Sequence, residues 1–254
     1  TVIIATKTPS AVFLDRLHNR FMISKAAADK YGDQMDQHAI GTGPYRFVSW
    51  QRDGNLVLTR NDDYWGPKPE IKEVVYRKVG EEAGRVAGLL AGQGDVINNV
   101  PVDEIPRLES HPRVRVEKVA GLRMYFLAMN CTLKPFDNKL VRQAVNYCID
   151  PQAIIKYIYD GNGYMVDGPV PSHVIGYDPN LKRYPNDPKK ARELLAKAGF
   201  SNGVEVKLYF SPDRYPKARE ICQVIADQLL KGGIKTEPVS QEFVIFWGKD
   251  GVNG

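Results

Sequence analysis

The amino-acid sequence predicts an α/β fold with mixed sheets. Three observations carry this expectation. The last third alternates strand-like and helix-like segments in the order β-α-β, which places a covering helix between parallel neighbours. The helices of the second half have explicit boundaries: Asp150-Pro151 and Asp187-Pro188 precede apolar periodic runs, and Gly199 and Gly232-Gly233 follow them. The first half holds a hairpin signal, in which an aromatic and β-branched run, Tyr45–Trp50, turns at Asp53-Gly54.

Taken in order, Val2–Ala5 is a short apolar run suited to a strand, closed by Thr8-Pro9-Ser10. Ser10 can cap a helix bearing Val12, Phe13, Leu14 and Leu17, and Ser24–Tyr31 reads as a second helix. Gln34–Gly43 is polar and glycine-containing, as a loop or linker would be. After the hairpin, Asn61–Pro67 is a turn cluster that carries Tyr64 and Trp65, and Ile71–Val79 reads as a strand.

Glu81–Ala91 is helical, with Val86, Leu89 and Leu90 on one side and acids at its positive end. Short strands are expected at Asp95–Asn98 and Arg113–Lys118, with a short helix, Val102–Glu109, between them. Leu122–Asn130 is continuously apolar from Met124 to Met129, as a strand buried on both faces would be. Asp137 is expected to cap Lys139–Ile149. Helices follow after Asp150 and Asp187, with a Pro/Gly-rich loop, Gly163–Tyr184, between them. Val204, Val206, Leu208 and Phe210 alternate as a strand, Pro216–Lys231 is a helix, and Ile234–Val239 is the closing strand.

Composition narrows the function class. The chain has 254 residues, 43% hydrophobic and 26% charged, as ordinary globular proteins do. No apolar run approaches the ~20 residues of a membrane-spanning helix. The net charge of +5 is spread along the chain rather than clustered, so no nucleic-acid partner is expected. The three cysteines, Cys131, Cys148 and Cys222, form no C-x-x-C, which argues against a zinc or redox centre. Cys148 and Cys222 fall on apolar helical positions and are read as buried thiols. The chain opens at Thr1 without a signal sequence, so any targeting signal is expected upstream.

Catalytic signatures are missing. There is no phosphate-cradling G-x-x-x-x-G-K-[ST], no G-x-S-x-G elbow, and no metal-binding spacing among His18, His38, His111 and His173. No cofactor and no metal are expected. Thirteen tyrosines and three tryptophans without catalytic spacing suit a ligand-binding surface instead.

Several stretches, taken together and in order, resemble the extracellular solute-binding proteins of the oligopeptide, dipeptide and nickel type, which serve ABC importers. They are Gly41-Thr42-Gly43-Pro44-Tyr45 with Trp50 and Asn61-Asp62-Asp63-Tyr64-Trp65, and Gly92-Gln93-Gly94-Asp95-Val96. They continue with Asn130, Pro135-Phe136-Asp137 and Val141-Arg142-Gln143-Ala144, then Asp187-Pro188 through Gly199-Phe200, and end with Gly233-Ile234 and Trp247. The resemblance implies a periplasmic-binding-protein-like, two-lobe fold of which this chain is an interior fragment. Residues 1–40 would be the remainder of a small extra subdomain, 41–121 part of the first lobe, and 122–254 the second ligand-binding lobe without its return crossing. Most such motif residues are scaffolding, with Trp50 and Trp65 as packing anchors. Gly232 departs from the pattern, standing where the family has an apolar residue.

The resemblance further implies non-catalytic capture of a small solute, a peptide first, and its delivery to an ABC permease. The location would be periplasmic or cell-surface, with membrane association through an upstream signal or lipid anchor. Two alternatives are a sensing receptor domain of the same fold and, less favoured, a hydrolase on an α/β scaffold. Candidate ligand-binding residues are Arg123, Tyr125 and Asn130 on the segment after the first interlobe crossing. Asp213, Arg214 and Tyr215 stand at the carboxyl edge of a strand, where α/β sheets bind ligands, and Trp247 lies beyond the last strand.

Overall fold

The computed structural model describes residues 3–122, 124–212 and 215–247, with 246 and 247 described by backbone only. The chain forms two compact units, Thr1–Asn99 and Val100–Gly254. No helix among the described residues is long and apolar enough to cross a membrane.

In the first unit, short helices α1 (Phe13–Leu17) and α2 (Lys25–Tyr31) precede a three-stranded antiparallel sheet. Ser24 caps α2, its hydroxyl accepting from the Ala27 N–H. Strands β1 (Tyr45–Trp50), β2 (Asn55–Arg60) and β3 (Glu73–Arg77) lie side by side in chain order, with Phe47 opposite Leu58 and Leu58 opposite Val74. Asp53 takes the left-handed turn conformation at φ 62°, which a short polar side chain tolerates. A hydrogen bond from Lys78 to its carboxylate holds the Asp53 pKa below the ordinary value.

Two of the motif stretches fasten each other here. Asn61 is buried, donates Nδ2 to the Gly43 carbonyl at 3.0 Å, and accepts from Arg46 Nε at 2.8 Å. Its backbone N–H bonds the Pro44 carbonyl at 2.9 Å. The Gly41–Tyr45 stretch is therefore locked to the turn that follows β2, as scaffolding should be. Trp65 departs from its expected role as a packing anchor. It is 82% exposed, with its ring 5.1 Å from that of Tyr64. Helix α3 (Glu82–Leu90) closes the unit, and the Arg85 guanidinium bonds the Val79, Gly80 and Asn99 carbonyls.

The second unit begins with a 3₁₀ turn, Val102–Glu104, running into α4 (Ile105–Glu109). Its core lies under α5 (Lys139–Cys148), α7 (Pro188–Lys197) and α8 (Ala218–Lys231), packed around β4 (Val204–Phe210) and β5 (Ile234–Ser240). Strands β4 and β5 are parallel and pair from Val204 opposite Ile234 to Phe210 opposite Ser240, with α8 as the crossover. Val141, Cys148, Ala191, Leu195 and Ile234 are at most 1% exposed, so burial of this apolar set is the main stabilising term. Helix α6 (Pro151–Ile158) starts at Asp150, whose carboxylate accepts from Ala153 N, and Gln228 bonds both the N–H and the carbonyl of Asp150. Asp187 caps α7 through Lys190 N.

Several expectations are corrected. Ile3–Ala5, the described part of the first apolar run, is not a strand, and neither are Asp95–Asn98, Arg113–Lys118 and the described residues of Leu122–Asn130. An extended run becomes a strand only where a neighbour takes its N–H and C=O groups, and no described segment does so here. In the last of these, Leu127 and Met129 pack on the core while Phe126 is 67% exposed, so it is not buried on both faces. Asn138, not Asp137, caps α5, because Asn138 Oδ1 reaches Leu140 N at 2.9 Å. Helix α8 starts at Ala218 rather than Pro216.

Cys148 and Cys222 are buried and free, and Cys131 is exposed and free. Burial pushes both buried thiols from 9.0 up to about 11. Titration of the native chain with a disulfide reagent should modify Cys131 within minutes and the other two only on unfolding. Because the folded pKa is raised, this contribution to stability is intact below pH 9.0 and is lost as pH rises toward about 11. Early modification of three thiols in the native state would refute this.

Candidate functional site

The site builds up at the carboxyl ends of β4 and β5. Strand β4 ends at Phe210 and passes into a loop that reaches α8 at Lys217. Strand β5 ends at Ser240, and the Gln241 N–H bonds the Phe210 carbonyl at 2.9 Å. This brings the chain after β5, including α9 (Phe243–Trp247), beside the loop.

Four aromatic side chains meet there. The Tyr125 ring lies 6.1 Å from Tyr159 and 6.0 Å from Tyr215, and Tyr215 lies 6.1 Å from Phe243. These tilted and edge-on geometries are the ones aromatic quadrupoles favour. Tyr125 and Tyr159 both donate their hydroxyls to the Pro216 carbonyl, at 2.7 and 3.1 Å. One backbone acceptor thus gathers two tyrosines from the extended segment and the end of α6. Tyr125 is 43% exposed, so the cluster presents a partly open aromatic wall with polar tips.

Of the candidates read from sequence, Tyr125 and Tyr215 come together in this cluster. Asn130 holds its own turn, its Oδ1 accepting from Thr132 N at 3.0 Å and Thr132 Oγ1 at 2.6 Å. Arg123, Asp213 and Arg214 lie outside the described residues, as does the Trp247 side chain. Tyr159 and Phe243 are additions. Tyr159 follows the apolar stripe of α6 directly before Asp160-Gly161, and Phe243 follows the last strand. An aromatic just past a helix or strand terminus on the ligand edge was the available signal for both.

Lys217 completes the loop. It stands at the N-cap position of α8 with φ 57° and ψ 20°, and its Nζ meets Asp103 Oδ2 at 2.7 Å. Upstream, Tyr164 donates its hydroxyl to the Gly121 carbonyl at 2.6 Å, tying the long loop after α6 to the start of the extended segment. No three His, Cys, Asp or Glu side chains converge among the described residues. The arrangement is chemically suited to stacking on, and hydrogen bonding to, a small organic solute.

A parallel β-α-β unit with an aromatic wall at its carboxyl edge defines an α/β binding module. The chain belongs to the bacterial extracellular solute-binding proteins, family 5, whose middle-region pattern matches residues 1–253. It is 34% identical over 245 residues to the glutathione-binding protein GsiB of Pectobacterium atrosepticum, covering 95% of this chain and 47% of the relative. It is 32% identical to heme-binding protein A of Haemophilus influenzae, covering 96% of this chain and 46% of that one. Among solved structures it is similar to the periplasmic binding protein DppA of Helicobacter pylori in complex with the peptide STSA, with a TM-score of 0.78 and 33% identity. That match covers 96% of this chain and 48% of DppA. A dipeptide-binding protein of Pseudoalteromonas sp. SM9913 in complex with Met-Leu matches at TM-score 0.73 and 28% identity, over 88% of this chain and 46% of its own. The chain spans about half the length of the curated relatives it matches.

Proposed function

We propose that the protein captures a small solute outside the cytoplasm, a peptide in the first instance, and presents it to an ABC import permease without chemical change. The observation that carries this is the aromatic cluster of Tyr125, Tyr159, Tyr215 and Phe243 at the β4–β5 carboxyl edge. Tyrosine rings with hydroxyl tips suit peptides, which offer apolar side chains beside backbone polar groups. The ligands of similar proteins support the class: glutathione for GsiB, STSA for DppA and Met-Leu for the dipeptide-binding protein.

In this reading the lobes meet at Gly121–Leu122 and close over the solute by hinge motion. The junction at Gly121–Leu122 is part of this proposal and lies within the second compact unit, Val100–Gly254. An upstream signal or lipid anchor and contact with a permease belong to the same reading. Arg123 would hold a carboxylate by paired hydrogen bonds, Asp213, Arg214 and Trp247 would line the same edge, and Asn130 would serve through its turn.

The test is calorimetric titration of the full-length protein with Ser-Thr-Ser-Ala, Met-Leu and glutathione. At least one should bind, and Tyr159→Ala should weaken binding roughly tenfold, as loss of an aromatic contact at a binding centre does. No affinity for any of the three would overturn the peptide reading, and an unaffected variant would overturn the aromatic cluster as its site.

A further inference from the structure

We propose that Lys217 and Asp103 form a closure latch that slows solute release. The proposal rests on the two-lobe reading above, because it takes Gly121–Leu122 as the junction. Among the ion pairs of the described residues, Lys217–Asp103 alone crosses that point, joining residues 114 apart in sequence. The next widest, Lys235–Glu205, joins two paired strands of one sheet.

Lys217 is badly placed for the local structure. Its left-handed backbone, φ 57°, is one that residues with a Cβ disfavour. Its position at the N-cap of α8 puts a cation at the positive end of a 14-residue helix, and its side chain makes no cap hydrogen bond. Neither feature serves the helix. The ion pair with Asp103 offsets the misplaced charge, because the carboxylate suits the helix dipole. Strained backbone conformations cluster at binding sites and switch regions.

The latch acts on the candidate site directly. Lys217 follows Pro216, whose carbonyl gathers Tyr125 and Tyr159, and Tyr215 precedes both. Holding Lys217 therefore holds the aromatic wall. The Lys217 side chain is 29% exposed and that of Asp103 72%. Such a pair is modest in strength and screened by salt, which suits a contact that must open in every transport cycle.

The test is charge reversal in the full-length protein, using Asp103→Lys, Lys217→Asp and the double exchange, with Ser-Thr-Ser-Ala, Met-Leu and glutathione as probes. In stopped-flow binding, each single variant should release the bound probe roughly two- to fivefold faster, the factor expected of a part-exposed ion pair. The association rate should stay within twofold, and the double exchange should restore release. Raising salt from about 50 to 500 mM should speed release from the wild type but not from Lys217→Asp.

Misfolding of the loop would instead lower the association rate, so the two rates separate a latch from a structural fault. Unchanged release with intact wild-type binding would overturn the latch and leave the peptide reading standing. If the wild type binds none of the probes, the peptide reading falls. The latch is then judged by backbone hydrogen exchange at 102–105 and 215–219 of the unliganded protein. Protection there should drop about twofold or more in both single variants and return in the double exchange, and unchanged protection would overturn it.

Discussion

Replacing Gly232 by alanine should destabilise the second unit by about 1–3 kcal/mol, the range for overpacking a filled core. A Cβ at this position would lie 2.1 Å from Cys148 Sγ and 3.2 Å from Ala191 Cβ. The backbone does not object: Gly232 has φ −89°, which alanine adopts freely. The obstacle is space alone, so it can be removed. Cys148→Ala should cost stability by itself, since the thiol is fully buried in the α5–α7–α8 core. Combined with Gly232→Ala, however, it should recover most of the loss, a strong non-additivity between touching residues. Chemical denaturation of the four forms gives the cycle. Equal stability of Gly232→Ala and wild type, or simple additivity with Cys148→Ala, would show that the contact is not what excludes a side chain.

Gly203→Ala should cost more, about 3 kcal/mol, near the upper end of single-substitution effects. Two causes add. Gly203 has φ +84°, a left-handed conformation that costs a residue with a Cβ about 1–2 kcal/mol. The new Cβ would also lie 2.5 Å from the Gly233 carbonyl oxygen. That oxygen accepts the Val204 N–H at 3.0 Å, the bond with which the β4–β5 ladder begins. Backbone cannot be trimmed, so no partner substitution should rescue this variant. Loss of midpoint temperature of about 2–4 °C per kcal/mol is expected for a domain of this size. A Gly203→Ala protein as stable as wild type would contradict the close approach of the two strands.

The contrast between these glycines shows what a sequence conveys. Gly232 stood out against the family pattern as a departure without a cause. The cause is Cys148, 84 residues earlier in the numbering, whose sulfur fills the space a side chain would need. The helix starts at Asp150 and Asp187 were legible because an Asx cap bonds an N–H only three residues away. The turn at Asp53 and the β4–α8–β5 order were legible for a similar reason, since turn chemistry and period-2 alternation are local. Leu122–Asn130 misled because its apolar run satisfies strand propensity, whereas strand status depends on a neighbour that propensity does not contain.

The candidate site divides in the same way. Tyr215 was legible from its place between a strand's carboxyl end and a helix, and Tyr125 from its place after the expected interlobe crossing. Tyr159 and Phe243 join them through the geometry around one carbonyl, that of Pro216, and through ring contacts between segments far apart in sequence.

By itself the sequence determined the α/β class, most helices and their caps, the hairpin, the parallel β4–β5 pair and the family resemblance. Each depends on residues within a few positions of one another or on an ordered set of such signals. Only the tertiary structure decided which extended runs become strands, why Gly232 must lack a side chain, and that Lys217 reaches Asp103. Hydrogen-bond partners, excluded volume and ion pairs between distant residues are properties of the packed chain, and no local pattern encodes them.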